Sequence, residues 1–307
     1  MENILEIKNL EVGFTIEENF YYVSKGINLS FEKGKIHAIA GESGCGKSVL
    51  INTILKLLPK NALIKSGEII FKGQNILDFS QKEFSKIRGR EIFLIPQDPF
   101  SSLNPLYTIK NQMEEIIEDK KNSKDLLKSS LEEVRIKDVD MVLKSYPHEL
   151  SGGMKQRVII AMALISKSEL ILADEPTTAL DASVSNSILD LLVNLKEKGK
   201  TIILITHDLS IVSNYCDTTT IMYLGDIVEA QNTKEFFKNP RHPYTKALIG
   251  ALPTTRGKKL ENIEGQISPI TKPVEGCKFH PRCKMAFSKC RHEKPKFKNN
   301  IACWLYE

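Results

Sequence analysis

Residues Gly41 to Ser48 read GESGCGKS and fit the pattern G-x-x-x-x-G-K-[ST]. Gly41, Gly44 and Gly46 let backbone N–H groups turn inward around phosphate oxygens, with Glu42, Ser43 and Cys45 carried in the same loop. A helix starting at Gly46 would aim its positive end at the same point. Lys47 would then neutralise β- and γ-phosphates, and the Ser48 hydroxyl would bind Mg²⁺. The apolar strand before the loop and the apolar helix after it argue against a chance glycine turn. Cys45 reads as a small filler rather than a reactive thiol. A second cluster lies in LILADEP, where Asp174 and Glu175 follow an apolar run. A hard cation such as Mg²⁺ takes carboxylate oxygen, directly or through water, which suits Asp174. Glu175 points elsewhere and can orient or deprotonate a water.

Four of the six cysteines, Cys277, Cys283, Cys290 and Cys303, stand in the last 31 residues, in GCKFHPRCKMAFSKC and IACW. Disulfides, a metal site and chance all fit that count. The opening MENILEIKNLEVGF has no basic segment followed by an apolar stretch, so it does not read as a signal peptide. The apolar run VIIAMALI, Val158 to Ile165, is far shorter than the ~18 residues that span a bilayer. The chain is therefore expected in the cytosol, where disulfides are rare. The spacing Cys-x5-Cys-x6-Cys-x12-Cys departs from the C-x2-4-C pairs of structural zinc sites. Four thiolates at looser spacing suit an iron–sulfur cluster, with zinc and free thiols remaining open.

The 307 residues carry a net charge of +5, unevenly spread. Residues 256–307 hold 12 Lys/Arg and 5 Asp/Glu, a net of +7, so the remainder is slightly acidic. A nucleic-acid binder would show a basic face with interleaved aromatics; here the excess is confined to the cysteine-bearing tail. Those lysines and arginines are expected to lower the thiol pKa values.

The residues above need strands to place them. KIHAIA (35–40), EIFLIP (91–96), LILA (170–173) and TIILIT (201–206) read as buried parallel strands. They are followed by the phosphate loop, Gln97, the acidic pair and His207. Ligands of open α/β sheets bind beyond the carboxyl ends of strands, so four such strands would assemble one site. Helices are expected from Gly46 to before Pro59, over about 111–128, over Gly152 to Ile165, and over Ala182 to Lys198. The stretch 254–275 reads as a linker or irregular extension.

With LSGGMKQ, Leu150 to Gln156, the set resembles the ATP-binding cassette (ABC) ATPases. Gln97 looks like that family's Q-loop glutamine, Ala179 to Asp181 like its D-loop, and His207 like its switch histidine, in family order over about residues 1–250. The resemblance implies an α/β fold: a nucleotide-binding domain with a phosphate-loop core sheet and a helical subdomain at about 98–165. A small irregular cysteine-bearing extension follows, with the boundary between 253 and 254. It also implies ATP and Mg²⁺ as cofactors, with Ser48, Gln97 and Asp174 around the metal, Glu175 as general base and His207 on the γ-phosphate. Ser151, Gly152 and Gly153 open a helix, a second anion-binding N-terminus, implied to face ATP held by a partner subunit. Met154 departs from the commonest signature, which has Gln; its backbone N–H could still face phosphate. An aromatic on adenine would come from Phe14 or Phe20 to Tyr22, with Tyr21 preferred.

YPHELSGGMKQR (146–157), FFKNPRHPYTKALIGALP (236–253) and the GC…HPRC text look like the dipeptide and oligopeptide importer branch, which includes nickel uptake relatives. Some branch members hold a [4Fe-4S] cluster in this extension. The implied function is the ATP-hydrolysing motor of a peptide importer, peripheral on the cytoplasmic face of the membrane. The implied partners are a homologous second ATPase, two transmembrane permease subunits and an extracytoplasmic substrate-binding protein, with no nucleic acid. QDPFSSLNPLYTIKNQ, after Gln97, would dock the permease. A nickel or other small-solute importer, and a soluble non-transport ABC ATPase, are the alternatives. His280 and His292 read as solvated rather than as ligands.

Overall fold

The computed structural model describes residues 2–117, 123–178, 180–252 and 263–307. The 253/254 boundary, the first part of the 254–275 stretch, Ala179 and the middle of the expected 111–128 helix lie outside the described residues. The chain folds as two compact units, Met1–Asp78 with Ile205–Glu307, and Phe79–Leu204.

The first unit opens with a long hairpin of β1 (Asn3–Ile16) and β2 (Asn19–Glu32); Leu5 and Ile7, and after a register shift Leu10 and Val12, are buried two residues apart. β3 (Ile36–Ala40) follows, buried along its whole length. Then come α1 (Lys47–Ile54), β4 (Ala62–Phe71) and β5 (Gln74–Asn75). The antiparallel sheet runs β2-β1-β4-β5.

The second unit carries α2 (Gln81–Ile87), β6 (Ile92–Ile95), α3 (Pro99–Ser102), α4 (Ile109–Glu114), α5 (Ser123–Glu133), α6 (Val139–Lys144), α7 (Gly152–Ile165), β7 (Leu170–Asp174), α8 (Ala182–Glu197) and most of β8 (Thr201–Thr206). β6 and β7 pair in parallel, Ile92 opposite Leu170 to Ile95 opposite Ala173. α7 is buried nearly all round, from Val158 to Ala163, as expected of a core helix. The helix expected over 111–128 is not one helix. α4 stops at Glu114 and residues 115–116 turn; the next described helix, α5, covers Ser123–Glu133.

Back in the first unit stand α9 (Leu209–Tyr215), β9 (Thr218–Tyr223), β10 (Asp226–Asn232), α10 (Thr233–Lys238), α11 (Pro243–Gly250) and, in the tail, α12 (Ser288–His292). β9 lies between β3 and β10, parallel to the first and antiparallel to the second. Asp217 fixes that junction: its Oδ2 accepts from the Ile36 N–H at 2.8 Å, and its own N–H donates to the Ile36 carbonyl at 2.8 Å.

His37 in β3 is buried and neutral by construction. Nε2 faces the Glu32 carbonyl at 2.8 Å, which only accepts, so Nε2 carries the proton and Nδ1 accepts from Thr218 Oγ1 at 2.7 Å. Burial holds its pKa below the ordinary 6.5; Lys35, Asp217 and Glu32 are the charged neighbours, and the Phe31 ring packs against it. The unfolded chain takes a proton that the fold refuses. The neutral ring's contribution to stability is thus complete above pH 6.5 and is lost as pH falls below it. Urea unfolding is expected to show midpoints declining below pH 6.5, with a flatter acid limb in His37→Gln.

Candidate functional site

The loop from Gly41 to Ser48 joins β3 to α1 as expected. Gly41, Gly44 and Gly46 have φ of 156°, 80° and 105°, values an L side chain rarely adopts. At Gly41 space also decides: a Cβ would lie 2.2 Å from the Met222 carbonyl of β9. Lys47 is buried, and its Nζ donates to the carbonyls of Gly41 at 2.8 Å and Glu42 at 3.0 Å. The ammonium is therefore locked to the rim of the loop whose N–H groups it accompanies. Cys45 is buried 3.7 Å from Lys47 Nζ, and burial pushes its thiol pKa up. It packs as filler, and its carbonyl accepts from the Gly225 N–H at 2.8 Å. In the same unit His207 stands exposed at the end of β8. Asp208 beside it caps α9, accepting from the Ser210 N–H at 2.7 Å. Tyr21 sits half-buried in β2 opposite Phe14. The exposed Tyr22 ring has Lys25 Nζ 5.0 Å from its centroid.

In the second unit Gln97 follows β6, and Asp174 ends β7. Glu175 has φ of 44°, a left-handed backbone that breaks the strand at that residue. Its Oε2 accepts from Thr178 Oγ1 at 3.0 Å and stands 3.5 Å from Gln97 Nε2, the outer limit of a hydrogen bond. Two segments distant in sequence thus meet at one carboxylate. Asp181 caps α8 through the Val184 N–H at 2.9 Å.

Ser151 caps α7, and its Oγ accepts from the Met154 N–H at 3.3 Å. That cap takes the N–H the sequence left open toward phosphate. The glycines after it have a local reason as well: a Cβ on Gly152 would lie 3.2 Å from the Phe100 ring, and one on Gly153 would lie 2.9 Å from Val184 Cγ1. Phe100 also carries Lys155 Nζ 3.9 Å from its ring centroid. Phe100, Leu106 and Tyr107 are exposed, Leu106 by 79%.

The four tail cysteines are not disulfide-bonded, and all four line one small cavity with His242, Phe279, His280, Met285, Trp304 and Leu305. Three of the sulfurs receive a backbone N–H from two residues on: Phe279 to Cys277, Met285 to Cys283 and Leu305 to Cys303. Such N–H···S bonds favour thiolate and tune sulfur ligands. Among the described residues, no three His, Cys, Asp or Glu side chains converge to hold a single metal ion.

The expectation that neighbouring cations lower the thiol pKa values is corrected. Burial dominates, pushing Cys277 up to about 11 and raising Cys283 and Cys303. Several of the cations are engaged elsewhere: Lys278 and Lys294 on Asp226, Lys284 on Glu264 and Arg282 on Glu42.

Three residues to which the sequence assigns no role at the site hold the phosphate loop. Tyr244 Oη accepts from the Glu42 N–H at 2.9 Å, Arg282 pairs with the Glu42 carboxylate, and Gly225 anchors Cys45. Tyr244 and Arg282 lie inside stretches recognisable only as patterns, and no local signal gives their target.

A family model described as "ABC transporter" matches residues 24–178, and one described as "Oligopeptide/dipeptide transporter, C-terminal region" matches residues 228–290. A probable peptide ABC transporter ATP-binding protein of Sinorhizobium fredii is 40% identical, over 98% of this chain and 94% of the relative. The dipeptide transport ATP-binding protein DppD of Bacillus subtilis is 39% identical, over 100% and 96%. The oligopeptide transport protein OppD of the same species is 41% identical, over 98% and 88%. Among solved structures, the dimeric ATP-binding cassette MJ0796 in a post-hydrolysis state with ADP and Pi matches with a TM-score of 0.66 at 28% identity, covering 75% of this chain and 98% of that one. The cassette cbiO1 of Clostridium perfringens, part of the cbiONQ complex, gives 0.66 at 29%, covering 78% and 92%.

Gly225 tests how far the loop depends on its surroundings. It has φ of 79°, and a Cβ there would lie 1.6 Å from the Val23 carbonyl. Gly225→Ala is expected to destabilise the protein by about 3 kcal/mol and to weaken ATP binding, checked by denaturant unfolding and by titration with a fluorescent ATP analogue.

Proposed function

The chain belongs to the ATP-binding subunits of ABC transporters that carry the oligopeptide/dipeptide C-terminal region, and from that membership we propose that it is the ATP-hydrolysing motor of a peptide importer. The observation that carries this reading is that the peptide-transporter C-terminal region, over 228–290, stands on the same chain as a complete phosphate loop. Among the described residues no helix is long and apolar enough to cross a membrane. Transport therefore needs membrane-embedded permease partners, with this chain peripheral on their cytoplasmic face. The exposed Phe100, Leu106 and Tyr107 are the surface proposed to meet them.

Hydrolysis is phosphoryl transfer to water, so the protein contributes positioning and charge. Lys47 and the N–H groups of Gly44, Cys45, Gly46 and Ser48 would take the phosphates. Glu175 would accept the proton of the attacking water, held in place by Thr178 and near Gln97. His207 would donate to the γ-phosphate, and Tyr21 would stack on adenine. Ser151, Gly152 and Gly153 would face the γ-phosphate on a homologous partner ATPase. Mg²⁺, when bound, neutralises phosphate charge; Ser48, Asp174 and Gln97 are the residues that would hold it. A substrate-binding protein outside the membrane would deliver the peptide.

Cys277, Cys283, Cys290 and Cys303 are proposed to hold a [4Fe-4S] cluster, with zinc as the alternative. Their shared cavity and the N–H groups aimed at three sulfurs support four thiolates around one group, with Cys290 and Cys303 buried and Cys277 and Cys283 half-buried. Binding would have to expel thiol protons that burial otherwise retains.

Glu175→Gln is expected to cut ATP turnover at least about a hundredfold in the membrane complex retrieved through a tag on this chain, with ATP still bound. Uptake of a labelled dipeptide should stop in cells carrying it. An unchanged turnover would remove Glu175 from the role of base. Protein purified without oxygen is expected to hold about four iron and about four sulfide per chain, lost in Cys283→Ser. About one zinc instead would make the tail a structural clip.

A further inference from the structure

Glu42, the second residue of the phosphate loop, is held at three points. Its N–H donates to Tyr244 Oη at 2.9 Å, its carbonyl accepts from Lys47 Nζ at 3.0 Å, and its carboxylate meets Arg282 in a two-pronged pair. Arg282 Nη1 donates to Oε2 at 2.7 Å and Nη2 to Oε1 at 3.0 Å. The Arg282 side chain is only 5% exposed. Its remaining donors are also engaged: Nε on the Glu264 carbonyl at 3.0 Å, Nη1 on Tyr223 Oη at 3.3 Å and Nη2 on the Ile263 carbonyl at 3.4 Å. A fork so fully constrained has one orientation, and it fixes the Glu42 carboxylate in the plane it presents.

Arg282 lies 240 residues after Glu42, in the short 3₁₀ turn His280–Arg282 between Cys277 and Cys283. Phe279, the residue that leads into the turn, packs on both Tyr223 and Tyr244, with ring centroids 5.2 Å apart in each pair. The turn therefore reaches Glu42 by two routes: directly through the guanidinium, and through the aromatic cluster that seats Tyr244. We infer that Arg282 is a positioning residue for the phosphate loop, so that the cysteine-bearing tail sets ATP affinity although it adds no group to the phosphates. The inference rests on the reading of residues 41–48 as the ATP site.

A tie that served only to fasten the tail would leave nucleotide affinity unmoved. A positioning role shifts the affinity for ATP more than the turnover of bound ATP, because the groups that meet water are elsewhere. The test measures Kd for a fluorescent ATP analogue and the KM and kcat of the assembled complex, for Arg282→Ala, Arg282→Lys, Glu42→Gln and the double variant Glu42→Gln/Arg282→Ala, with Lys47→Ala as control.

Arg282→Ala is expected to raise Kd and KM roughly tenfold with kcat within about twofold. Arg282→Lys, which keeps the charge and loses the fork, should fall between wild type and Arg282→Ala; it also serves if Arg282→Ala does not fold. The double variant should match the worse single variant, since both remove one pair. Kd unchanged in Arg282→Ala and Arg282→Lys, with binding abolished in Lys47→Ala, would overturn the inference and leave the ATP site in place. Binding unchanged in Lys47→Ala would overturn the ATP site itself, and the inference with it.

Discussion

Glu229 is a carboxylate with no exposed surface, set in β10 where an unsatisfied charge would be very costly. The fold answers with three donors. Oε1 accepts from the Arg241 N–H and from Gln231 Nε2, both at 3.0 Å, and Oε2 accepts from the His242 N–H at 2.8 Å. Those N–H groups exist at that point only if the chain turns at Arg241 and His242 and enters α11 there. His242 then caps the helix, its Nδ1 accepting from the Tyr244 N–H at 3.1 Å. Tyr244 is thereby fixed, fully buried, with its hydroxyl on Glu42. One buried charge thus dictates the start of a helix, and the helix reaches the phosphate loop.

The tail uses charge in the same economical way. Its surplus of lysine and arginine suggested a diffuse positive field over the cysteines. Instead Lys278, Arg282 and Lys294 are tied to distant acceptors, and the thiols feel burial first. Lys278 donates to Asp226 and the Leu224 carbonyl, and Lys294 to Asp226 and the Lys25 carbonyl. These ties draw the tail onto β10 and β2.

The parts legible in the sequence share one property: their signal is local. β3, β6, β7 and β8 are continuous apolar runs because such strands are covered on both faces, and the structure places them within a residue or two of 35–40, 91–96, 170–173 and 201–206. α7 and α8 begin after Ser151 and Asp181, and both residues cap as side chains of their type do. The glycine loop likewise declares its own geometry. What stayed hidden depends on partners far along the chain. The acceptor of Arg282 is 240 residues away, and the N–H that donates to Tyr244 is 202 residues away. The expected helix over 111–128 failed because its helix-forming residues continue past a turn that no glycine or proline marks.

β10 has β9 on one side only, and the segment around Ile301 lies along its other side. Glu229 bridges Ile301 in antiparallel fashion, the Ala302 N–H donates to the Val228 carbonyl at 2.9 Å, and the Ala230 N–H to the Asn300 carbonyl at 3.0 Å. The last residues of the chain therefore occupy hydrogen-bonding groups that a bare strand would offer to any extended peptide. That matters for a protein whose proposed cargo is itself peptide. A shortened chain would present an adhesive margin, open to self-association or to capture of the solute being transported. The tail keeps that margin closed from within.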